Sequence, residues 1–185
     1  MSTNSLYIDL RGFAAFCEKH IAGSYCIPLS ASFDTLIDLI DETYPYTFVI
    51  TQEIASDPFF KSKCLSLSKS FIVWDEDIAT KFTTDMCIAI DDEEFKIDYT
   101  FDEFYLVDLR DVAEFEKDSI EHASSIPLEE INHIVVDLEP QDMYYLYADH
   151  IDAVGFAASV FKHNGIHNLR AVFPPFEILK NTLAS

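Results

Sequence analysis

"LYIDLRGFAAFCEKHIAGSYCIPL", Leu6 to Leu29, lies over "YLVDLRDVAEFEKDSIEHASSIPL", Tyr105 to Leu128, at a constant offset of 99 residues without a gap. Nine of the 24 pairs are identical: Asp9 with Asp108, Leu10 with Leu109, Arg11 with Arg110, Ala14 with Ala113, Phe16 with Phe115, Ile21 with Ile120, and the two Ile-Pro-Leu endings. A repeat of this length settles the organisation of the chain before any element is assigned. In each copy a short apolar strand, Tyr7 to Leu10 or Leu106 to Leu109, gives way to a loop where Asp and Arg can pair. A Phe-centred helix follows. A second strand then stops at Ile-Pro, because proline lacks a ladder donor and restricts the residue before it.

Outward from the repeat, strands alternate with helices. Phe33, Leu36, Ile37 and Ile40 have helical spacing, and Tyr46 to Ile50 ("YTFVI") is a strand. The segment 57–69 leads to a strand over Ser70 to Trp74, and "DIATKF" begins another helix. The second copy runs likewise: a short helix over Leu128 to Ile134, a strand at "MYYLYA", a helix over Val154 to His163, a strand at "NLRAV" and a last helix from Phe176 to Asn181. Such alternation implies an α/β protein of two small three-layer domains, each with a mainly parallel sheet flanked by helices. The domains are expected over residues 1–95 and 100–185. The acidic stretch Asp91 to Phe104 falls between them and reads as a solvated linker, although Phe95, Ile97, Tyr99 and Phe101 alternate as an edge strand would.

Composition narrows the function classes. Sixteen Phe and nine Tyr among 185 residues supply a core despite the charge. Thirty-three acidic against 12 basic residues give a formal charge of −21, which repels a phosphate backbone and an anionic lipid surface alike. Neither nucleic acid nor membrane is expected as a direct partner. The charge serves solubility first, and second offers an acidic docking face to a basic protein partner. No leader-like or membrane-spanning run is visible, so a cytoplasmic protein is expected, with the nucleus open as well. Cys17, Cys26, Cys64 and Cys87 lack C-x-x-C spacing and read as reduced structural thiols, and four glycines are too few for a phosphate-binding loop. No cofactor is implied.

The loop from Ala148 to Val154, "ADHIDAV", sits where a strand meets a helix, the usual place for anions and reactive groups in an α/β domain. It holds Asp149, His150 and Asp152 but no cysteine. Carboxylate and imidazole suit zinc or manganese. Three ligands so close in one loop seldom face one ion, and an aspartate there is expected to cap the helix instead. His20, His122, His133, His163 and His167 are scattered, with no nucleophile–base pattern among them.

The second copy resembles a rhodanese-like domain. That family opens on a strand ending in Asp-x-Arg, a helix with a Glu-Phe or Glu-Tyr pair, His-Ile-x-Gly-Ala and Ile-Pro. Here Asp108, Arg110, Glu114, Phe115, Ile120, Ala123, Ile126 and Pro127 match, while Ser119 replaces the histidine and His122 the glycine. Ala158, Gly165, Ile166 and Phe176 match the closing helix and aromatic, and Pro174 and Pro175 replace a Gly-Gly pair. The first copy keeps "HIAGSYCIP", His20 to Pro28, but its later half aligns poorly. The resemblance places the loop Cys-x-x-Gly-x-Arg-Ser on this one: Ala148 falls on the nucleophilic cysteine, Ile151 on the glycine, Ala153 on the arginine and Val154 on the serine.

What the resemblance implies is therefore a fold without its chemistry. The family cradles a persulfide or an anionic substrate with loop amides before a helix N-terminus. Alanine offers no nucleophile, and Asp149 and Asp152 put negative charge where an anion belongs. The matching stretch of the first copy, Thr51, Gln52, Glu53 and on to Asp57, also has no cysteine, and Cys64 lies further along in an apolar helical stretch. The function expected is a catalytically inactive tandem protein acting as an interaction scaffold or regulatory subunit, with these two loops as partner-binding surfaces. The alternatives are a sulfurtransferase or phosphatase using a displaced cysteine, and a small-molecule or metal sensor. The sequence leaves the oligomeric state open.

Overall fold

Residues 5–40, 45–68, 70–101 and 103–185 are described by the computed structural model, in which the chain divides into two units, Met1–Met86 and Cys87–Ser185. The first contains β1 (Leu6–Asp9), α1 (Phe13–Glu18), β2 (His20–Ile21), β3 (Tyr25–Cys26), α2 (Phe33–Ile37), β4 (Tyr46–Ile50), α3 (Leu65–Leu67), β5 (Phe71–Val73), α4 (Glu76–Ala79) and β6 (Thr84–Asp85). Four strands form a parallel sheet in the order β3-β1-β4-β5, and β2 pairs antiparallel with β6. The central β4 is buried throughout, which is why it reads as an unbroken apolar run. A π-helical turn, Phe60–Cys64, leads into α3. Asp57 starts it by accepting from the N–H groups of Phe59 (2.7 Å) and Phe60 (3.1 Å). Phe60 then sits edge-on to Phe48 and Phe71, with ring centroids 6.1 and 5.7 Å away.

The second unit contains β7 (Ile88–Ile90), α5 (Asp92–Phe101), β8 (Tyr105–Asp108), α6 (Val112–Lys117), β9 (Ser124–Ser125), α7 (Ile131–Ile134), β10 (Tyr144–Tyr147), α8 (Ile151–His163), β11 (Leu169–Val172) and α9 (Phe176–Ala184). Its five strands are all parallel, in the order β7-β11-β10-β8-β9. Successive residues of β10 separate the two layers of side chains. Tyr145 and Tyr147 join Phe95, Phe176 and Leu179 on one face, against α5 and α9. On the other, Tyr144 meets Phe161 of α8 edge-on at 5.5 Å. Both units are thus α/β, with parallel sheets flanked by helices.

Three expectations change. The boundary falls at Met86 rather than between residues 95 and 100, because β7 adds a fifth strand to the second sheet through its pairing with β11. The acidic stretch is helical, not linker or edge strand: Phe95 is fully buried and Tyr99 partly so, one helical turn apart, whereas Ile97 and Phe101 are 60% and 80% exposed. Asp91 caps this helix by accepting from the Glu94 N–H at 2.9 Å, and Asp92, Glu93 and Glu94 suit its first turn. Arg170 then pairs with Glu94 and Asp98, each at 3.0 Å. Finally, α8 begins at Ile151, three residues before Val154. Lys69 and Asp102, which end the segment after Asp57 and lie in the acidic stretch, fall outside the described residues.

The repeat is also conformational. Gly23 has φ 78°, and its counterpart His122, 99 residues on, has φ 65°. A side chain in this left-handed region costs about 1–2 kcal/mol, partly offset by the greater unfolded freedom of glycine. His122→Gly should stabilise the second unit by about 0.5–1 kcal/mol in urea unfolding, and a loss of stability would contradict the strain.

Candidate functional site

In parallel sheets, the loops leaving the C-terminal strand ends collect at one edge and build the site. In the second unit, Asp108 ends β8 opposite Tyr147, the last residue of β10. Asp108 is fully buried. It accepts from the Arg110 backbone N–H at 3.0 Å, from Arg110 Nε (3.0 Å) and Nη2 (2.7 Å), and from the Tyr147 hydroxyl at 2.5 Å. Arg110 Nη2 also donates to the Asp118 carbonyl at 2.8 Å, and the guanidinium lies 3.6 Å from the centre of the Phe176 ring.

The first unit repeats this clamp. Arg11 Nε and Nη2 donate to Asp9 at 2.9 and 2.7 Å, Nη2 also donates to the Lys19 carbonyl at 2.7 Å, and Trp74 covers the guanidinium at 4.3 Å. Lys19 and Asp118 are again 99 residues apart. Asp9 faces Val49 across the sheet, so no phenol completes it. The Asp-Arg pairs are therefore structural pins, as the sequence motif suggested, with Tyr147, Phe176 and Trp74 as partners that repeat alignment did not supply.

Electrostatics at the second clamp follow from burial. Burial works against the Arg110 cation, but hydrogen bonding to Asp108 and the charges of Asp108 and Asp149 outweigh it and raise its pKa. Burial, then the Asp108 carboxylate, pushes the Tyr147 phenol well above 10. An unfolded phenol near 10 loses its proton first. The stability held below pH 10 is therefore lost as pH rises towards the folded value, at up to about 1.4 kcal/mol per pH unit. Tyr147→Phe should flatten this decline in alkaline urea titrations, leaving the lesser slope from Tyr99 and Tyr144, whose phenols burial also raises. An unchanged slope would refute the assignment.

The strand end after Tyr147 is where the candidate loop lies. Ala148 is buried, Asp149 half-buried and His150 exposed. The helix starts at Ile151, so the strand-to-helix connection is only Ala148, Asp149 and His150. Ala153 donates its N–H to the His150 carbonyl at 3.1 Å, and Val154 is buried. The expected aspartate cap is not made: α8 has His150 at its N-cap with no side-chain bond. Leu109, Arg110, Glu114, Ala148, Asp149, His150 and Ala153 surround a recess of about 190 Å3. Asp152 and Ile151, in the first helical turn, do not line it. A second recess of about 290 Å3 shares Arg110, Glu114 and Asp149 and adds Lys117, Asp118, Phe176 and Glu177.

In the first unit, strand pairing sets Ile50 rather than Thr51 at the position of Ala148, since Val49 faces Asp9 as Tyr147 faces Asp108. Thr51, Gln52 and Glu53 form the turn after β4, with Thr51 Oγ1 accepting from the Ile54 N–H at 3.3 Å. Gln52 and Glu53 are exposed, and the hydrogen bond from Thr51 holds the Glu53 carboxyl below its usual range. Cys64 is fully buried in the π-helical turn, and burial, with Asp34 and Asp57 nearby, pushes its thiol up to about 11. Among the described residues no three His, Cys, Asp or Glu side chains form a group that could hold a metal ion, and no helix is long and apolar enough to cross a membrane.

No family model and no curated protein matches the sequence. Solved structures do. A rhodanese-like domain from Anabaena sp. is 19% identical over 52% of this chain and 75% of its own, with a TM-score of 0.47. A rhodanese-related protein from Thermoplasma volcanium is 18% identical over 51% of this chain and 91% of its own, at 0.46. A thiosulfate sulfurtransferase from Pseudomonas aeruginosa covers 97% of this chain with 39% of its own, at 15% identity and 0.42. The solved structures to which this chain is similar are thus rhodanese-like domain proteins.

Proposed function

We propose that this chain is a catalytically inactive tandem rhodanese-like protein that binds other proteins, as a cytoplasmic scaffold or regulatory subunit. The observation that carries this reading is the methyl group of Ala148, buried at the end of β10 and followed after two residues by helix. A thiol would stand there in an active member, within a loop of free amides. Here the Ala153 and Val154 amides already donate to the His150 carbonyl in the first turn of α8, and Asp149 adds repulsion. The buried, protonated Cys64 is poorly suited to stand in, because the thiolate is the nucleophile.

Thiosulfate–cyanide and phosphatase assays test this directly. The wild-type chain and Ala148→Cys should both remain at the uncatalysed background, since restoring sulfur alone does not restore its amide cradle. Robust turnover abolished by Cys64→Ala would overturn the reading and favour a displaced nucleophile. For the binding role, affinity purification should recover a recurrent partner that Asp149→Lys with Asp152→Lys releases.

A further inference from the structure

The two recesses of the second unit join into one groove across the ends of β8, β10 and β11, because Arg110, Glu114 and Asp149 border both. Its surfaces divide by polarity. Leu109, Ala148 and Ala153 give an apolar lining on one side, and the Phe176 ring gives another. Around them stand carboxylates. Glu114, Asp149 and Glu177 make no ion pair within 4 Å among the described residues, whereas Asp118 is held by Lys180. Arg110 balances them only in part: its charge reaches Asp149, but its side chain is only 5% exposed and Nε and Nη2 are committed to Asp108 and the Asp118 carbonyl. Lys117 is the one other cation in the lining.

From this groove we infer that the second unit receives a basic segment of a protein partner, which lays cationic side chains where the family would hold an anion. The inference rests on the reading of this unit as a binding module and specifies its partner's chemistry. A lysine or arginine stem lies along Leu109, Ala148 and Ala153, with its charge between Glu114 and Asp149. A second cation meets Glu177 beside Phe176. Val112, Phe173 and Ile178, each close to half exposed, flank these positions in the same segments and accept apolar residues of the same partner. The formal charge of −21 steers a basic chain towards the protein from a distance, and the groove fixes where it stops.

The probe is a fluorescent nonapeptide alternating arginine and leucine, titrated into the full 15N-labelled chain, with spermine and a glutamate–leucine peptide as controls. Saturable binding is expected, with amide shifts concentrated at residues 109–114, 148–153 and 173–178. Asp149→Asn combined with Glu177→Gln should weaken it at least tenfold, the loss expected for one charge-assisted contact or more. Glu76→Gln, in the other unit, should leave it unchanged. Shifts spread over the acidic surface, equal binding by the carboxamide variant, or equal affinity for spermine would each overturn the inference. A native partner lost on reversal of Asp149 while the basic peptide fails to bind would also overturn it, yet leave the binding-module reading standing. Sulfurtransferase turnover would have the opposite effect, removing that reading without touching the peptide result.

Discussion

Asp108→Ala is expected to lower the stability of the second unit by about 3–5 kcal/mol, the range for removing one member of a buried ion pair. The carboxylate is fully buried and accepts every bond made by Arg110 Nε, by the Arg110 backbone N–H and by the Tyr147 hydroxyl. Its loss leaves a largely buried guanidinium with the Asp118 carbonyl, the Phe176 and Tyr147 rings and the charge of Asp149 as its remaining partners. A buried phenol loses its acceptor as well, which costs about 1–3 kcal/mol when unsatisfied. A fifth or more of a domain's total stability is at stake. Hydrogen exchange of the β8 and β10 amides, followed through urea, reads this directly. The sole tryptophan, Trp74, lies in the other unit and reports that unit's unfolding by fluorescence, separately from the β8 and β10 amides. A change below 1 kcal/mol at β8 would mean that the clamp contributes little. Replacing Asp108 and Arg110 together by apolar residues should cost less than either change alone, because no stranded charge remains.

In the first unit the largest effect is expected from Phe60→Ala, at about 3–5 kcal/mol. Phe60 is 1% exposed and fills the space between Phe48 of β4 and Phe71 of β5. Removing the ring leaves a cavity that the π-helical turn cannot easily close, since Asp57 fixes its start and α3 continues its end. Trp74 fluorescence reports the shift of the urea midpoint. Alkylation gives a second reading: Cys64 should resist iodoacetamide in the wild-type chain and react much faster in the variant, through more frequent opening of the turn. Rapid labelling of the wild-type thiol would contradict both its burial and its raised pKa.

Much of this architecture was legible in the chain. The 99-residue repeat located both clamps, and the apolar run at Tyr46–Ile50 marked its strand to the residue, because a central parallel strand is buried on both faces. The acidic segment misled for a physical reason. Phe95, Ile97, Tyr99 and Phe101 satisfy a period of two, and only burial reveals that Phe95 and Tyr99 form the inward pair while the other two face outward. β7 escaped notice because three residues beside an acidic run carry little pattern of their own; their strand character comes from pairing with β11. At the candidate site, the sequence shows directly that no cysteine stands between Ala148 and Val154, but the early start of α8 could not be read. Ile151 and Asp152 have ordinary helix propensities, and nothing local distinguishes a loop position from a first helical turn. The participation of Tyr147, Phe176 and Glu177 depended on long-range placement by the sheet.

The three-residue passage from β10 to α8 also bears on motion. With only Ala148, Asp149 and His150 between the last strand residue and the first helical turn, there is little chain to absorb a shift of α8 against the sheet. Whatever docks at this edge of the second unit meets a rim of fixed shape, and is selected by its fit rather than by remodelling it.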